Sequence, residues 1–197
     1  MEYELAIDSA PETVPGGTGI LLLHPSTGET DRIDTDFLKT DTDHFLVVST
    51  RTTAREVEQK LEYYDVDESK AVILDTLSVE RGYSRRSGEN VHYVSSPDDL
   101  DGIKEQTSTF LERYDGKLRV SFDSVTELDY YADDPEAVFE TVGGILDLIH
   151  EHEAVGLFHL SSEVHDDDEL DRYRDLFDGV VTLHDDDSVT ADVRCDR

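Results

Sequence analysis

Short, unbroken apolar runs alternate along the chain with amphipathic stretches, and this alternation limits the fold more than any other feature. The runs cover 19–24, 44–49, 70–75, 91–94, 117–123, 154–160, 179–184 and 188–193. A strand wetted on one face alternates apolar with polar residues, whereas a strand covered on both faces reads as a continuous run. Most of these runs are of the second kind, as in Ile20-Leu21-Leu22-Leu23 and Phe45-Leu46-Val47-Val48. They predict a central sheet with helices on either side.

The stretches between the runs carry helix starts. Thr53-Ala54-Arg55-Glu56 is a capping box, followed by Val57, Leu61 and Tyr64 on one face. Ser96-Pro97 predicts an N-cap with proline at the first helical position, ahead of Ile103, Thr107, Phe110, Leu111 and Tyr114. Asp134-Pro135 repeats the device before Val138, Val142, Ile145, Leu146 and Ile149, and a last helix is predicted from about 166 to 177. Such alternation predicts an α/β three-layer sandwich, a mostly parallel central sheet with helices on both faces. The runs 179–184 and 188–193 flank Asp185-Asp186-Asp187 and predict a C-terminal antiparallel hairpin. Residues 1–16, with Pro11 and Pro15, read as a loose N-terminal leader, and 17–197 as a single domain.

The first long run leads into a segment with the shape of a phosphate-binding loop. Such a loop reads G-x-x-x-x-G-K-[ST] and precedes a helix. In Leu23-His24-Pro25-Ser26-Thr27-Gly28-Glu29-Thr30 the second glycine and the hydroxyl remain as Gly28 and Thr30. Leu23 replaces the first glycine, and Glu29 replaces the lysine that would sit on the β- and γ-phosphates. A carboxylate there turns attraction into repulsion, about 4 kcal/mol per pair of unit charges 4 Å apart at an effective dielectric near 20.

Composition narrows the partners. Asp and Glu number 48 against 17 Lys and Arg, a formal charge of −31, while hydrophobic residues make up 37%, enough for a core. The acids are spread along the chain, and the lysines are only Lys39, Lys60, Lys70, Lys104 and Lys117. This predicts a surface adapted to a salt-saturated cytoplasm, where the Debye length shrinks to about 3 Å and self-repulsion fades. The other reading is an acidic protein for basic partners. Nucleic acid is not an expected partner, because no basic field neutralises phosphates. Cys195 is the only cysteine, which excludes an intramolecular disulfide and a cysteine metal site. No secretory signal and no apolar run long enough to span a membrane is visible, so the expected location is cytoplasmic.

The order of elements resembles the RecA superfamily, and within it the KaiC/RadA-like branch. The likeness is carried by the loop up to Thr30, by Phe45-Leu46-Val47-Val48-Ser49-Thr50, by Leu118-Arg119-Val120-Ser121-Phe122-Asp123-Ser124-Val125-Thr126 at the Walker B place, by the run from Ala154, and by Phe177-Asp178-Gly179-Val180-Val181. More narrowly, the chain resembles an uncharacterised haloarchaeal group of degenerate RecA-like proteins. That group shares the Ser96-Pro97-Asp98-Asp99-Leu100 start, the Asp123-Ser124-Val125-Thr126-Glu127-Leu128 stretch and His165-Asp166. The resemblance implies a RecA-like fold and a nucleotide site built from Ser26, Thr27, Gly28, Thr30 and Asp123, with Thr30 and Asp123 holding Mg²⁺. The alternative for this pair is inheritance without ligand, Thr30 capping a helix and Asp123 ending a strand. The family's catalytic glutamates follow the second strand, where this chain has Thr50-Arg51-Thr52.

The expectation is therefore a non-catalytic regulatory or scaffold domain that needs no cofactor and works through protein partners, such as its own copies or a RecA-like paralogue. The alternative is a sensor or weak ATPase that binds Mg-ATP. Arg81, Arg85 and Arg86 form the one basic cluster and are candidate contacts for an acidic partner or a phosphate. His150, His152 and His165 are metal-capable, but histidines two apart on a helix point apart, and no metal site is expected. Asp75 and Ser161-Ser162-Glu163 fall where strand ends gather, the edge that ligands prefer in such sheets.

Overall fold

The computed structural model describes residues 1–85 and 88–194. Ten strands and six α-helices follow in order: β1 (Glu2–Glu4), β2 (Thr13–Pro15), β3 (Gly19–His24), α1 (Asp31–Lys39), β4 (His44–Ser49), α2 (Ala54–Tyr63), β5 (Ala71–Asp75), β6 (Val91–Tyr93), α3 (Leu100–Arg113), β7 (Leu118–Asp123), α4 (Val125–Tyr131), α5 (Pro135–Glu151), β8 (Val155–Ser161), α6 (Asp167–Leu176), β9 (Gly179–Leu183) and β10 (Val189–Val193). Eight strands form one sheet in the order β10-β9-β3-β8-β7-β4-β5-β6. All neighbours are parallel except β9 and β10, which form the expected hairpin.

The unbroken runs are unbroken because both faces are covered. Leu21, Leu23, Leu46, Val48, Val120 and Phe122 point to one core, shared with residues of α3, α4, α5 and α6 such as Phe110, Leu128, Ile145 and Leu170. Ile20, Leu22, Phe45, Val47, Val155 and Leu157 point to the other, shared with Phe37 and Leu38 of α1 and Val57 and Leu61 of α2. A one-residue slip would exchange these two sets, so burial on both faces fixes the register.

Residues 1–16, expected as a loose leader, are folded against the body. The second face has only two helices, and the β1–β2 hairpin and the segment between its strands complete that layer. Tyr3 and Val14 are fully buried, and Leu5 and Ile7 join the same core. The Tyr3 hydroxyl donates to the Glu153 carbonyl (2.9 Å) and accepts from Leu118 N–H (3.1 Å). Arg119 of β7 is fully buried and donates to the Glu4 carbonyl at 2.6 Å. Its guanidinium lies over the rings of Phe37 (4.8 Å) and Tyr3 (5.4 Å). Burial lowers its pKa to about 10.

Caps set most helix starts as the sequence implies. Thr53 and Glu56 form the capping box of α2, and Asp134 accepts from Glu136 N–H ahead of Pro135 in α5. The start of α3 differs from the Ser96-Pro97 expectation. Asp99 is the N-cap, because its carboxylate reaches Gly102 N–H (3.0 Å) and also Ser95, which leaves Ser96–Asp98 as a turn before the helix.

Candidate functional site

The C-terminal ends of β3, β4, β7 and β8 bring His24, Ser49, Asp123 and Ser161 to one edge of the sheet. Loop 25–30 joins β3 to α1 there. Three of its backbone donors are already used. Ser26 N–H donates to a Glu163 carboxylate oxygen (2.8 Å), Gly28 N–H to the Pro25 carbonyl (2.9 Å), and Thr30 N–H to the Gly28 carbonyl (3.1 Å). The Ser26 and Ser161 hydroxyls are 2.9 Å apart. Hydrogen bonds from Ser26 lower the Glu163 pKa. Gly28 is needed for closeness: a Cβ there would stand 3.1 Å from both the Pro25 carbonyl oxygen and Leu183.

Thr30 is buried at the N-cap position of α1, but its side chain makes no cap hydrogen bond. It therefore caps by place alone. Thr27 and Glu29 are exposed on the loop. Among the described residues no hydrogen bond or ion pair joins Thr30 to Asp123.

Asp123 is held instead by Arg51, the residue just past β4. Arg51 Nε donates to one carboxylate oxygen (2.8 Å) and Nη2 to the other (3.0 Å), the paired geometry that guanidinium and carboxylate favour. Burial alone would raise the Asp123 pKa, but the His159 ring and the Arg51 cation outweigh it, and the pKa is lowered. Burial likewise works against the Arg51 charge, and Asp123 outweighs it, so the Arg51 pKa is raised.

A second buried pair lies behind the first. Asp34 of α1 is fully buried and accepts from Lys60 of α2 (2.8 Å), from the Ser121 hydroxyl and from His159 Nε2 (3.3 Å). Burial opposes the Asp34 charge, yet Lys60 and His159 hold its pKa far below the usual carboxylate range. Burial also opposes the Lys60 charge, and Asp34 holds its pKa above the ordinary value. The other His159 nitrogen, Nδ1, has no hydrogen-bond partner and stands 3.9 Å from Asp123. His24 packs edge-on against His159 at 5.6 Å and bonds the Pro25 carbonyl through Nδ1 (2.8 Å), while its Nε2 has no partner. Burial and the neighbouring His159 lower the His24 pKa to about 4. Two carboxylates and two cations thus balance in the interior beside two histidines.

The other candidates lie elsewhere. Asp75 ends β5 fully buried, and its carboxylate accepts from Ala54 N–H (2.7 Å), Leu77 N–H (2.9 Å), Ser78 N–H (2.8 Å) and Ser78 Oγ (2.6 Å), so it fastens the start of α2 to the loop after β5. Arg81 and Arg85 are exposed in that loop; Arg86 lies outside the described residues. His165 touches Thr126, Asp129 and Glu169. Among the described residues no three His, Cys, Asp or Glu side chains are grouped to hold a metal ion. No helix among them is long and apolar enough to cross a membrane.

Asp34, Lys60, His24 and His159 were not among the sequence candidates. Each had a signal: a titratable residue inside a run or face that is otherwise apolar, as His159 is within Leu157-Phe158-His159-Leu160.

A family model described as "Family of unknown function (DUF7090)" matches residues 1–193. A search of curated proteins gives no match. Among solved structures, the fold is similar to a KaiC-like protein, PH0186, from the hyperthermophilic archaeon Pyrococcus horikoshii OT3, at TM-score 0.65 and 14% identity, covering 91% of this chain and 77% of that one. It is also similar to an ATPase from the type III secretion system of pathogenic bacteria, at TM-score 0.58 and 16% identity, covering 88% of this chain and 54% of that one. At such identities the likeness is one of fold: the chain has the RecA-like architecture of the KaiC-like neighbour.

Proposed function

The chain belongs to the DUF7090 family, whose function is unknown, and from that premise we propose a non-catalytic RecA/KaiC-like domain that acts through protein contacts as a regulatory or scaffold module. The observation that carries this reading is the Arg51–Asp123 pair. A guanidinium covers both oxygens of the carboxylate that the family resemblance assigns to Mg²⁺. The residues present therefore fit a Mg-nucleotide poorly. A metal ion would have to displace Arg51, and the freed cation would then stand beside it.

Three further facts support the same reading. Glu29 puts a negative charge where the phosphates' lysine would be. Glu163 already sits on Ser26 N–H, as an anionic ligand would. Thr50-Arg51-Thr52 stands in the stretch where the resemblance would put the glutamates that activate the attacking water, and it carries no carboxylate to serve as a base. The acidic surface suits a protein at home in a haloarchaeal cytoplasm, and partners such as further copies or a RecA-like paralogue fit the fold.

One observation favours the second reading, a Mg-ATP sensor or weak ATPase using Ser26, Thr27, Gly28, Thr30 and Asp123. The Thr30 hydroxyl is not spent on capping α1. Thermal-shift titration with Mg-ATP, Mg-ADP and Mg-GTP in about 2 M KCl, where long-range repulsion is screened, separates the two. The proposal expects no saturable rise in melting temperature at millimolar nucleotide. A saturable rise that Asp123→Ala or Thr30→Ala abolishes would establish the sensor instead.

A further inference from the structure

The eight-stranded sheet ends on one side in β10, and among the described residues no strand lies beyond it. The hydrogen bonds at the two ends of β10 fix which way its backbone faces. His184 N–H donates to the Ser188 carbonyl (2.9 Å), and Arg194 N–H donates to the Asp178 carbonyl (3.2 Å). Antiparallel pairs alternate, so Ser188, Thr190, Asp192 and Arg194 turn their N–H and C=O groups toward β9, and Val189, Ala191 and Val193 turn theirs away from the sheet. The Val189 carbonyl agrees, for it accepts from the Ser9 hydroxyl at 3.0 Å. The N–H and C=O of Ala191, midway along the strand, have no partner among the described residues.

Such an edge is a template for another strand unless something blunts it. The opposite edge, β6, is blunted by its length of three residues. β10 has five, Val189-Thr190-Ala191-Asp192-Val193, with no proline and no lysine among them. Val189, Ala191 and Val193 pack against the second core yet stay half-buried, an apolar row unfinished on its outer side. Thr190 and Asp192 are exposed on the opposite face. Read about Ala191, the strand is complementary to itself. In an antiparallel pair of two such strands centred there, Ala191 meets Ala191, each Val189 meets the other copy's Val193, and each Thr190 meets the other copy's Asp192. The outward-facing residues then form the hydrogen-bonded pairs, and apolar side chains meet apolar ones on one face. Thr190 and Asp192 form the closer, non-hydrogen-bonded pairs, so the one charge on the strand faces a hydroxyl and not its own copy. The Thr190 hydroxyl is 2.8 Å from His184 Nε2, and accepting there leaves its hydrogen for that carboxylate. At each end the exposed Arg194 stands opposite Ser188 and diagonal to Asp186, which is also exposed.

We propose that β10 pairs with β10 of a second copy of this chain about a two-fold axis through Ala191, which joins the two eight-stranded sheets into one. The inference rests on the reading of the chain as a contact module and names a second copy as the partner. Any extended segment could supply backbone groups to this edge. What selects the chain itself is the order of side chains about Ala191 together with the charge match of Arg194 to the acidic turn Asp185-Asp186-Asp187 of the other copy. A two-fold axis makes each of these contacts twice. Two chains of charge −31 repel at low ionic strength, but in molar salt the screening length falls to about 3 Å, which removes the long-range repulsion and leaves contact pairs in place. One pair of five-residue strands is a small interface, so the dimer belongs to the weak, transient class.

The test is sedimentation equilibrium of the full chain in about 2 M KCl, at concentrations up to about 0.5 mM. The result expected for the wild type is a reversible monomer–dimer equilibrium. Ala191→Pro removes an N–H that makes no bond to β9, and proline is tolerated at such an edge position, so this variant should be monomeric with an unchanged melting temperature. Arg194→Asp should weaken the dimer at least about tenfold, and adding Asp186→Arg, which restores the opposite charges, should recover most of the loss. A wild type that stays monomeric throughout would overturn the proposal. So would a dimer that folded Ala191→Pro leaves intact, assembly that passes the dimer, or a double variant no better than Arg194→Asp alone. The charge-swap pair decides by itself if Ala191→Pro does not fold. These outcomes involve residues 186–194 and not loop 25–30. A monomer leaves the non-catalytic reading standing with another partner, whereas nucleotide binding at that loop removes that reading and leaves the dimer to be measured.

Discussion

Two stretches of the same sheet edge handle charge in opposite ways. Beside loop 25–30 two cations are held in buried pairs: Arg51 is spent on Asp123 and Lys60 on Asp34. Further along the sheet, at the C-terminal end of β5, the carboxylates Asp75 and Glu56 are spent on N–H and hydroxyl groups instead, and Arg55 and Arg85 are exposed. The first region is complete in itself. At the strand ends beside loop 25–30, then, charge is held in buried ion pairs, whereas at the end of β5 it is held by backbone and hydroxyl donors.

If the first region is structural, disturbing it must cost stability, with the largest cost at its deepest pair. Lys60→Met leaves Asp34 charged, fully buried and without its cation, and should cost about 3–5 kcal/mol in denaturant unfolding. Adding Asp34→Leu should recover much of that loss, because the pair is then removed together. A single-variant loss near zero would mean that the pair does not hold the layer.

Acid should strike the same region next. His24 has its pKa lowered from 6.5 to about 4 by burial and by His159, so the unfolded chain binds more protons in that window. Stability from this residue is full above about pH 6.5, falls as the pH drops, and is lost by about pH 4, a loss of up to about 3 kcal/mol. Thermal unfolding of the wild type and of His24→Gln across this window isolates the contribution: the variant should show the shallower slope. Equal slopes would place the titration elsewhere.

Arg51→Met should cost less, about 2 kcal/mol, since Arg51 is a third exposed and solvent can compensate Asp123 in part. Tyr3→Phe removes the hydroxyl that serves both Leu118 N–H and the Glu153 carbonyl, and should cost about 1–2 kcal/mol by denaturant unfolding. The smallest effect belongs to exposed arginines. Arg55→Ala and Arg85→Ala should each change stability by less than about 0.5 kcal/mol, because both are exposed and no carboxylate among the described residues is paired with them. A large loss there would erase the contrast between the two regions.

Much of this architecture is legible in the sequence, and for one reason. Strands covered on both faces leave unbroken runs, so 19–24, 44–49 and 117–123 read directly as β3, β4 and β7. The hairpin around Asp185-Asp186-Asp187 reads equally well. What composition hides is the role of residues 1–16. Two prolines suggest a loose segment, whereas Tyr3, Leu5, Ile7 and Val14 fill a layer that α1 and α2 leave incomplete, which only the tertiary arrangement reveals. The start of α3 is ambiguous in the sequence because Ser96 and Asp99 are both good caps, and the structure decides for Asp99, whose carboxylate reaches Gly102 N–H. The substitutions at Glu29 and Arg51 are visible in the sequence. That Arg51 reaches Asp123, 72 positions on, is not, because the parallel pairing of β4 with β7 brings Ser49 beside Asp123.

The most direct measurement of the central claim is isothermal calorimetry of the wild-type chain with Mg-ATP in about 2 M KCl, where screening gives a nucleotide its best chance against Glu29. The account predicts no saturable heat at millimolar ATP, because Arg51 holds Asp123 and Glu163 holds Ser26 N–H. A saturable isotherm that disappears in Asp123→Ala would contradict it, and would mean that the inward-facing pair opens to admit the nucleotide.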